Sequence, residues 1–372
     1  MRAVGLILAG GNSNKIKELA KKRAISALPI GGSYRSIDFS LSNMANSHVQ
    51  KVAVLTQYNA KSLNEHLSSS KWWDFGRKQG GLFVFTPTIT EGNSWWYRGT
   101  ADAIYQNLDF LKRSHEPYVI IASGDGVYKL DYSKVLEYHI AKKADITVVY
   151  KDMGIGEDTS RFGVVKMNEN YRIEEFEEKP MVAKSNAIST GIYVIRRRQL
   201  IELIEECAHE GRHDFVKDIL IRYKDLKRIY GYKLQGYWSN IATVESYYKT
   251  NMDFLKAEVR NYFFGEYPDV YTKVDDVPPA KYNPGAAIKN SLVSGGCIIN
   301  GTVENSVLFK KVYVGNNCVI KNSIILNDVY IGDNTIIENC IVESRDTIRA
   351  GAEHRGGEDI KIVIEKNARY IL

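Results

Sequence analysis

Between Val312 and Ile337 an apolar pair returns every six residues: Val312-Tyr313, Cys318-Val319, Ile324-Ile325, Tyr330-Ile331 and Ile336-Ile337. A helix repeats its buried face at 3.6 residues and a flat strand at 2, so neither accounts for this spacing. Gly315-Asn316-Asn317, Asn322, Asn327-Asp328, Gly332-Asp333-Asn334 and Asn339 fall between the pairs. These residue types tolerate left-handed turn conformations. Short flat faces joined by tight corners satisfy both facts, and the pattern predicts a parallel β-helix. A solenoid face scaffolds or oligomerises, which places the chemistry in the rest of the chain. The change of character comes at Pro278-Pro279, just after Val274-Asp275-Asp276-Val277. We therefore expect a first domain over 1–277 and the solenoid over 278–372.

The first domain reads as α/β. Apolar, β-branched runs occur at Val4–Leu8, Val52–Thr56, Tyr118–Ala122, Ile146–Tyr150 and Ile192–Ile195. Helix-period segments lie at Ala101–Lys112, Tyr132–Lys143 and Thr243–Leu255. Alternating strands and helices predict a mostly parallel sheet covered on both faces. Ligands of such sheets bind beyond the carboxyl ends of the strands. Two segments emerge there: Ala9-Gly10-Gly11-Asn12-Ser13-Asn14-Lys15 and Ser123-Gly124-Asp125-Gly126.

The Gly10-Gly11 turn is an ordinary strand-to-helix turn or a loop whose N–H groups approach a phosphate. The long connection after it, with Lys22-Arg23, Gly31-Gly32-Ser33-Tyr34-Arg35 and Ile37-Asp38, exceeds what a simple crossover needs. Asp125 could hold Mg²⁺ against nucleotide phosphates or cap the next element. Between Lys71 and Gly99 we expect a loop carrying Trp72-Trp73, Trp95-Trp96 and Tyr97, leading into Arg98-Gly99-Thr100 at a helix start. Its aromatic rings could stack a base or a sugar, or pack the loop onto the sheet, while the helix start favours phosphate. Phe176-Glu177-Glu178-Lys179-Pro180 offers a lysine for a sugar phosphate, or one that simply pairs with its acidic neighbours.

Composition narrows the partners. The net charge of +6 comes from 50 basic and 44 acidic residues dispersed along 372, a pattern suited to small anionic ligands and too sparse for a nucleic-acid footprint. Cys207, Cys297, Cys318 and Cys340 show no CxxC spacing, and no apolar run approaches a membrane span. Free thiols in a reducing cytoplasm, without zinc or membrane, are the expectation.

Taken in order, these motifs resemble the glucose-1-phosphate adenylyltransferases, the ADP-glucose pyrophosphorylases of bacterial glycogen synthesis. The collinear pieces are Leu-Ala-Gly-Gly, Lys-Arg-Ala, Gly-Gly-x-Tyr-Arg-x-Ile-Asp-Phe, Leu-Thr-Gln-Tyr at 55–58, Trp-Tyr-Arg-Gly-Thr-Ala-Asp-Ala at 96–103, Ser-Gly-Asp, Glu-Lys-Pro, Thr-Gly-Ile-Tyr-Val at 190–194, and the solenoid. The resemblance implies a nucleotidyltransferase-like, Rossmann-like domain, a left-handed β-helix and a tetramer. It implies a reaction in which ATP and glucose 1-phosphate give ADP-glucose and pyrophosphate with Mg²⁺. By motif it places Gly10, Gly11, Gln57, Gly99 and Thr100 on the nucleotide side. Tyr97, Glu178, Lys179, Ser189 and Gly191 fall on the sugar-phosphate side, and Lys22, Arg23 and Arg35 among cations for anionic allosteric effectors.

The departures from the pattern matter as much. Active members read Gly-Gly-x-Gly-Thr-Arg-Leu where this chain has Gly10-Gly11-Asn12-Ser13-Asn14-Lys15-Ile16, so Lys15 keeps the charge without the planar fork. Arg-Ala-Lys-Pro has become Arg23-Ala24-Ile25-Ser26, and Tyr-Trp-Arg-Asp has become Tyr237-Trp238-Ser239-Asn240. The second metal carboxylate is thus an amide, Asn240, beside a remnant Asp125, and Gly126 replaces a histidine. These changes resemble the non-catalytic partner that assembles with a catalytic paralogue in many Gram-positive bacteria.

Overall fold

The computed structural model describes residues 2–76, 80–88, 96–154 and 157–365. The chain forms two compact units. The first contains residues up to Gly11 together with Phe39–Trp238; the second contains Asn12–Asp38 together with the chain from Ser239 onward.

In the first unit a nine-stranded sheet is built outward from Ala3–Leu8. That strand lies parallel to Lys51–Leu55 on one side and Tyr118–Ser123 on the other. Gly81–Phe85 extends the parallel side, pairing with Lys51–Leu55. The stretch expected as one loop between Lys71 and Gly99 is corrected here: Gly81-Leu-Phe-Val-Phe85 is a strand that takes the edge of the sheet. Beyond Tyr118–Ser123 the direction reverses, because Ala187–Arg196 pairs antiparallel with it and with Ile146–Asp152. Ile229–Lys233 returns parallel to Ile146–Asp152, while Gly163–Met167 and Ile173–Glu178 form an antiparallel pair. The α/β class and the parallel centre are as the sequence predicts.

Helices cover the sheet, and buried Ile104, Leu108, Leu111, Leu200, Leu203 and Ile204 pack on Val119, Ile121 and Ile195. The helix expected over Ala101–Lys112 is two, Thr100–Gln106 and Leu108–Lys112. Asn107 separates them, its amide donating to Ala103 O and to the Tyr97 hydroxyl, both at 2.9 Å. Such local side-chain bonds compete with the helical ladder. No described helix is long and apolar enough to cross a membrane.

Beneath the opposite face His139 is buried, with Nδ1 2.8 Å from the Thr147 hydroxyl and Nε2 without a partner. Burial, with the Arg196 charge adding to it, pushes its pKa down to about 4. Since the unfolded imidazole takes its proton near pH 6.5, the unfolded state binds more protons between these values. The stability this residue contributes is therefore complete above pH 6.5 and lost as pH falls toward 4, by about 3 kcal/mol. Urea unfolding across that range should show this loss in the native chain, with a smaller slope in His139→Gln.

In the second unit three parallel sheets of five strands each run from Lys281–Tyr282 to Lys361–Val363. They form the three faces of a left-handed β-helix. Tyr313 registers on Tyr330, Val319 on Ile336 and Ile324 on Ile341, one coil of 17 residues apart. The corners are left-handed as predicted: Asn305, Asn322 and Asn339 stack at one, Lys311, Asp328 and Arg345 at another, Asn317 and Asn334 at the third. Inside the coils Ile299, Val314, Ile331 and Ile348 form one buried column. Cys297, Cys318 and Cys340 are free thiols buried in the same core, and Cys207 is free and buried in the first unit.

Candidate functional site

Parallel pairing of Leu8 with Ser123 brings two loops out at one edge of the sheet, and Gly124 N–H donates to Leu8 O at 3.0 Å. Gly10 and Asp125 are thereby neighbours at the ends of adjacent strands. A Cβ on Gly10 would lie 3.4 Å from Gln57 Cβ, whereas one on Gly11 would meet nothing within 4 Å. Gly11 is thus the open side of the turn. Half-buried Asp125 accepts a hydrogen bond from Ser123 Oγ. Gly191 lies against the same serine at φ +75°, where a Cβ would stand 3.3 Å from Ser123 Cβ, in the bulge between Ser189 and Ile192. Ser189, buried next to it, shares a hydrogen bond with the Tyr193 hydroxyl at 3.2 Å.

Gln57 is largely committed to the protein. Its Oε1 accepts from Tyr97 N at 2.6 Å and its Nε2 donates to Tyr97 O at 3.3 Å. Tyr97 is buried, which pushes its phenol pKa up, and its hydroxyl accepts from Asn107. The helix start after it is likewise occupied: Ala101 N and Asp102 N donate to His213 O at 2.8 and 3.3 Å. Thr100 Oγ1 accepts from Phe215 N at 2.9 Å, and a Cβ on Gly99 would strike the His213 carbonyl. Gly99 and Thr100 therefore dock this segment onto 213–215, and the phosphate expected at that helix start has a carbonyl in its place.

The tryptophans differ in burial. Trp73 is 1% exposed, with His66 edge-on at 5.5 Å, and packs the core. Trp96 is 62% exposed and stacks parallel to Tyr58 at 6.2 Å. Trp95 lies outside the described residues. Lys179 has φ 52° and an ammonium 3.3 Å from Glu178 Oε1. At 64% side-chain exposure that pair is weak and open to exchange for a ligand.

Sequence reasoning missed the layer behind Asp125. Tyr128 and Tyr132 are fully buried, their hydroxyls 2.7 Å apart, and Ser40 Oγ lies 3.3 Å from Tyr128. A Cβ on Gly126 would come within 3.0 Å of the Tyr128 ring. The glycine here accommodates a tyrosine network, which explains physically why no larger residue stands beside Asp125.

In the second unit Ser13 Oγ donates to Ala242 O at 2.8 Å and accepts from Lys15 N at 3.3 Å. The hydroxyl that replaces a glycine thus ties the turn to 242. Lys15 itself is exposed. Asn240 Oδ1 accepts from Ala242 N at 3.0 Å. Ile25 is 5% exposed in the short turn Ile25–Ala27. Arg35 belongs to a hairpin with Pro29–Ile30, its N–H donating to Asp38 at 2.8 Å. Lys22 is exposed, while Arg23 forms an ion pair with Glu343. Among the described residues no three His, Cys, Asp or Glu side chains group to hold a metal ion.

A strand, a glycine turn and an acidic loop at one sheet edge, followed by a hexapeptide solenoid, define a nucleotidyl transferase. The Nucleotidyl transferase family model matches residues 4–257, and the GlmU-like C-terminal hexapeptide model matches 278–361. The chain is 42% identical over 320 residues to the glucose-1-phosphate adenylyltransferase of Clostridium novyi (strain NT), covering 85% of this chain and 84% of that protein. Against those of Thermosipho melanesiensis and Geobacillus stearothermophilus, identity is 40% and 38%, covering 85% and 86% of this chain and 77% and 83% of theirs. The chain belongs to the glucose-1-phosphate adenylyltransferase family.

Proposed function

We propose that this chain is a catalytically impaired, regulatory subunit of ADP-glucose pyrophosphorylase in glycogen biosynthesis. It acts in a hetero-oligomer, a tetramer by resemblance, whose catalytic paralogue makes ADP-glucose and pyrophosphate from ATP and glucose 1-phosphate. The observation that carries this reading is Ile25: where the resemblance expects a phosphate-binding lysine, the chain has an apolar residue 5% exposed. Asn240 and Lys15 point the same way, the first as an amide in place of a carboxylate, the second as a point charge in place of a planar fork.

In this reading Gly10, Gly11 and the open face of Trp96 retain the ability to receive a nucleotide. Glu178, Lys179, Ser189 and Gly191 retain the sugar-phosphate side. Gln57 acts as a positioning residue, its side-chain amide holding the main chain of Tyr97. Mg²⁺ neutralises phosphate charge in the family reaction; Asp125 is the carboxylate here that would face it. A second reading, a slow Mg²⁺-dependent adenylyltransferase, rests on Asp125, Lys15 and Lys179. A third, a stand-alone sugar-phosphate sensor, requires no partner. Pyrophosphate release by this chain, by its catalytic paralogue and by the two mixed separates all three.

A further inference from the structure

Beside the break at Asn107, in the first unit, lies an open cleft of about 560 Å³, a volume within the range of small-molecule sites. Tyr97 and Asn107 both line it. The two N–H groups of the Asn107 amide are spent, one on Ala103 O and one on the Tyr97 hydroxyl, both at 2.9 Å. Its Oδ1 is therefore an acceptor that no donor among the described residues serves. The Tyr97 hydroxyl receives the amide's bond, but among the described residues no acceptor stands for its own proton, although the residue is only 8% exposed. A donor and an acceptor, joined through one bond, are left unspent side by side.

Tyr105, 44% exposed, adds an aromatic wall to the same cleft. Of the Asp, Glu, Lys and Arg side chains that line it, Lys112 and Glu205 neutralise each other at 2.7 Å, which leaves Asp109. Arg113, which is not part of the lining, stands 3.7 Å from Asp109 with both side chains at least 80% exposed, a weak pair. The cleft thus offers no uncompensated lysine or arginine to a phosphate, and Asp109 opposes one. A ligand oxygen that accepts from one neighbour and donates to the next is a hydroxyl, and an aromatic ring close by suits the C–H face of a pyranose. We infer that this cleft binds an uncharged sugar, one of whose hydroxyls accepts from Tyr97 and donates to Asn107 Oδ1. This places the Tyr97 hydroxyl in a site separate from the sugar-phosphate site that the resemblance implies. The inference goes beyond the subunit reading and does not depend on it, because its readout is binding by this chain alone.

The test is saturation-transfer NMR on the full chain with maltose as the probe. The native chain should transfer magnetisation to maltose, and excess glucose 1-phosphate should leave that signal in place. Tyr97→Phe keeps the ring and removes the unspent donor, so it should weaken maltose binding about three- to tenfold, the value of one hydrogen bond. Tyr105→Ser changes an exposed side chain, so it provides a folded comparison should the phenylalanine variant not fold. It should also weaken maltose binding. Absence of a maltose signal from the native chain, the cleft then holding water alone, would overturn the inference. So would displacement of maltose by glucose 1-phosphate, or folded variants that bind maltose as the native chain does.

Discussion

Arg23→Met should destabilise the second unit by about 3–5 kcal/mol, and most of that loss should return when Glu343→Leu is added. The reasoning is a comparison of three states. In the native chain both charges are out of water, at 11% and 3% side-chain exposure, and each offsets the other's desolvation. Removing the arginine alone leaves a carboxylate 3% exposed, with one oxygen already lacking a partner. An uncompensated buried charge of that kind is the costly state. Removing both partners replaces the pair by apolar packing, which is often neutral. Urea unfolding of the native chain, both single variants and the double variant completes the cycle. A small loss in Arg23→Met with no recovery in the double variant would mean that the pair is hydrated and energetically slack.

Ile25→Lys, the substitution that would reinstate the lysine expected by resemblance, should cost about 4–5 kcal/mol. A lysine at a position 5% exposed either carries its charge into the core or gives up its proton. Discharging an ammonium of pKa about 10.4 at pH 7 costs about 1.36 kcal/mol for each of roughly 3.4 pH units, which sets the scale. Ile25→Met, nearly equal in volume, should cost less than about 1.5 kcal/mol and serves as the control. Equal midpoints for the two variants would show that the side chain at 25 reaches water, and would remove the argument that this position has passed from ligand binding to the core. By contrast Lys15 is exposed, so Lys15→Arg should be tolerated.

The solenoid was readable because its signal is local. Each corner carries its own left-handed residue, such as Asn322 or Asn334, and each face its own apolar pair, so no distant partner is needed to see the period. The loops at the sheet edge were readable for a similar reason: Gly10-Gly11 and Gly124-Asp125 directly follow the apolar runs that form adjacent strands. What could not be read were choices between partners far apart in the chain. Nothing local says that residues 12–38 group with the solenoid's unit, held by Arg23 on Glu343 and by Ser294 Oγ on Gly32 O at 2.8 Å. Nor can composition tell whether the amide of Gln57 serves a ligand or the backbone of Tyr97. The break at Asn107 was hidden because a helical apolar spacing continues across it, and only the side-chain bond to Ala103 O exposes the competition.

The same distinction governs the site. Motif positions name candidate residues, while their hydrogen-bond partners in the structure determine which of them remain available. Gly11, Trp96 and Lys179 remain exposed or open, whereas Gln57, Gly99 and Thr100 are engaged internally. Under the proposed reading these open groups receive a ligand, while Ile25, Asn240 and Lys15 limit turnover.

Pyrophosphate release from ATP and glucose 1-phosphate with Mg²⁺, measured for this chain alone, for its catalytic paralogue alone and for the mixture, tests that account most directly. We expect this chain alone to be slower than the paralogue by about a thousandfold or more, equivalent to roughly 4 kcal/mol of lost transition-state stabilisation. The mixture should differ from the paralogue alone in rate or substrate response. Turnover by this chain alone within about tenfold of the paralogue, abolished by Asp125→Ala, would show that Lys15 and Asn240 suffice for chemistry and would contradict the assignment.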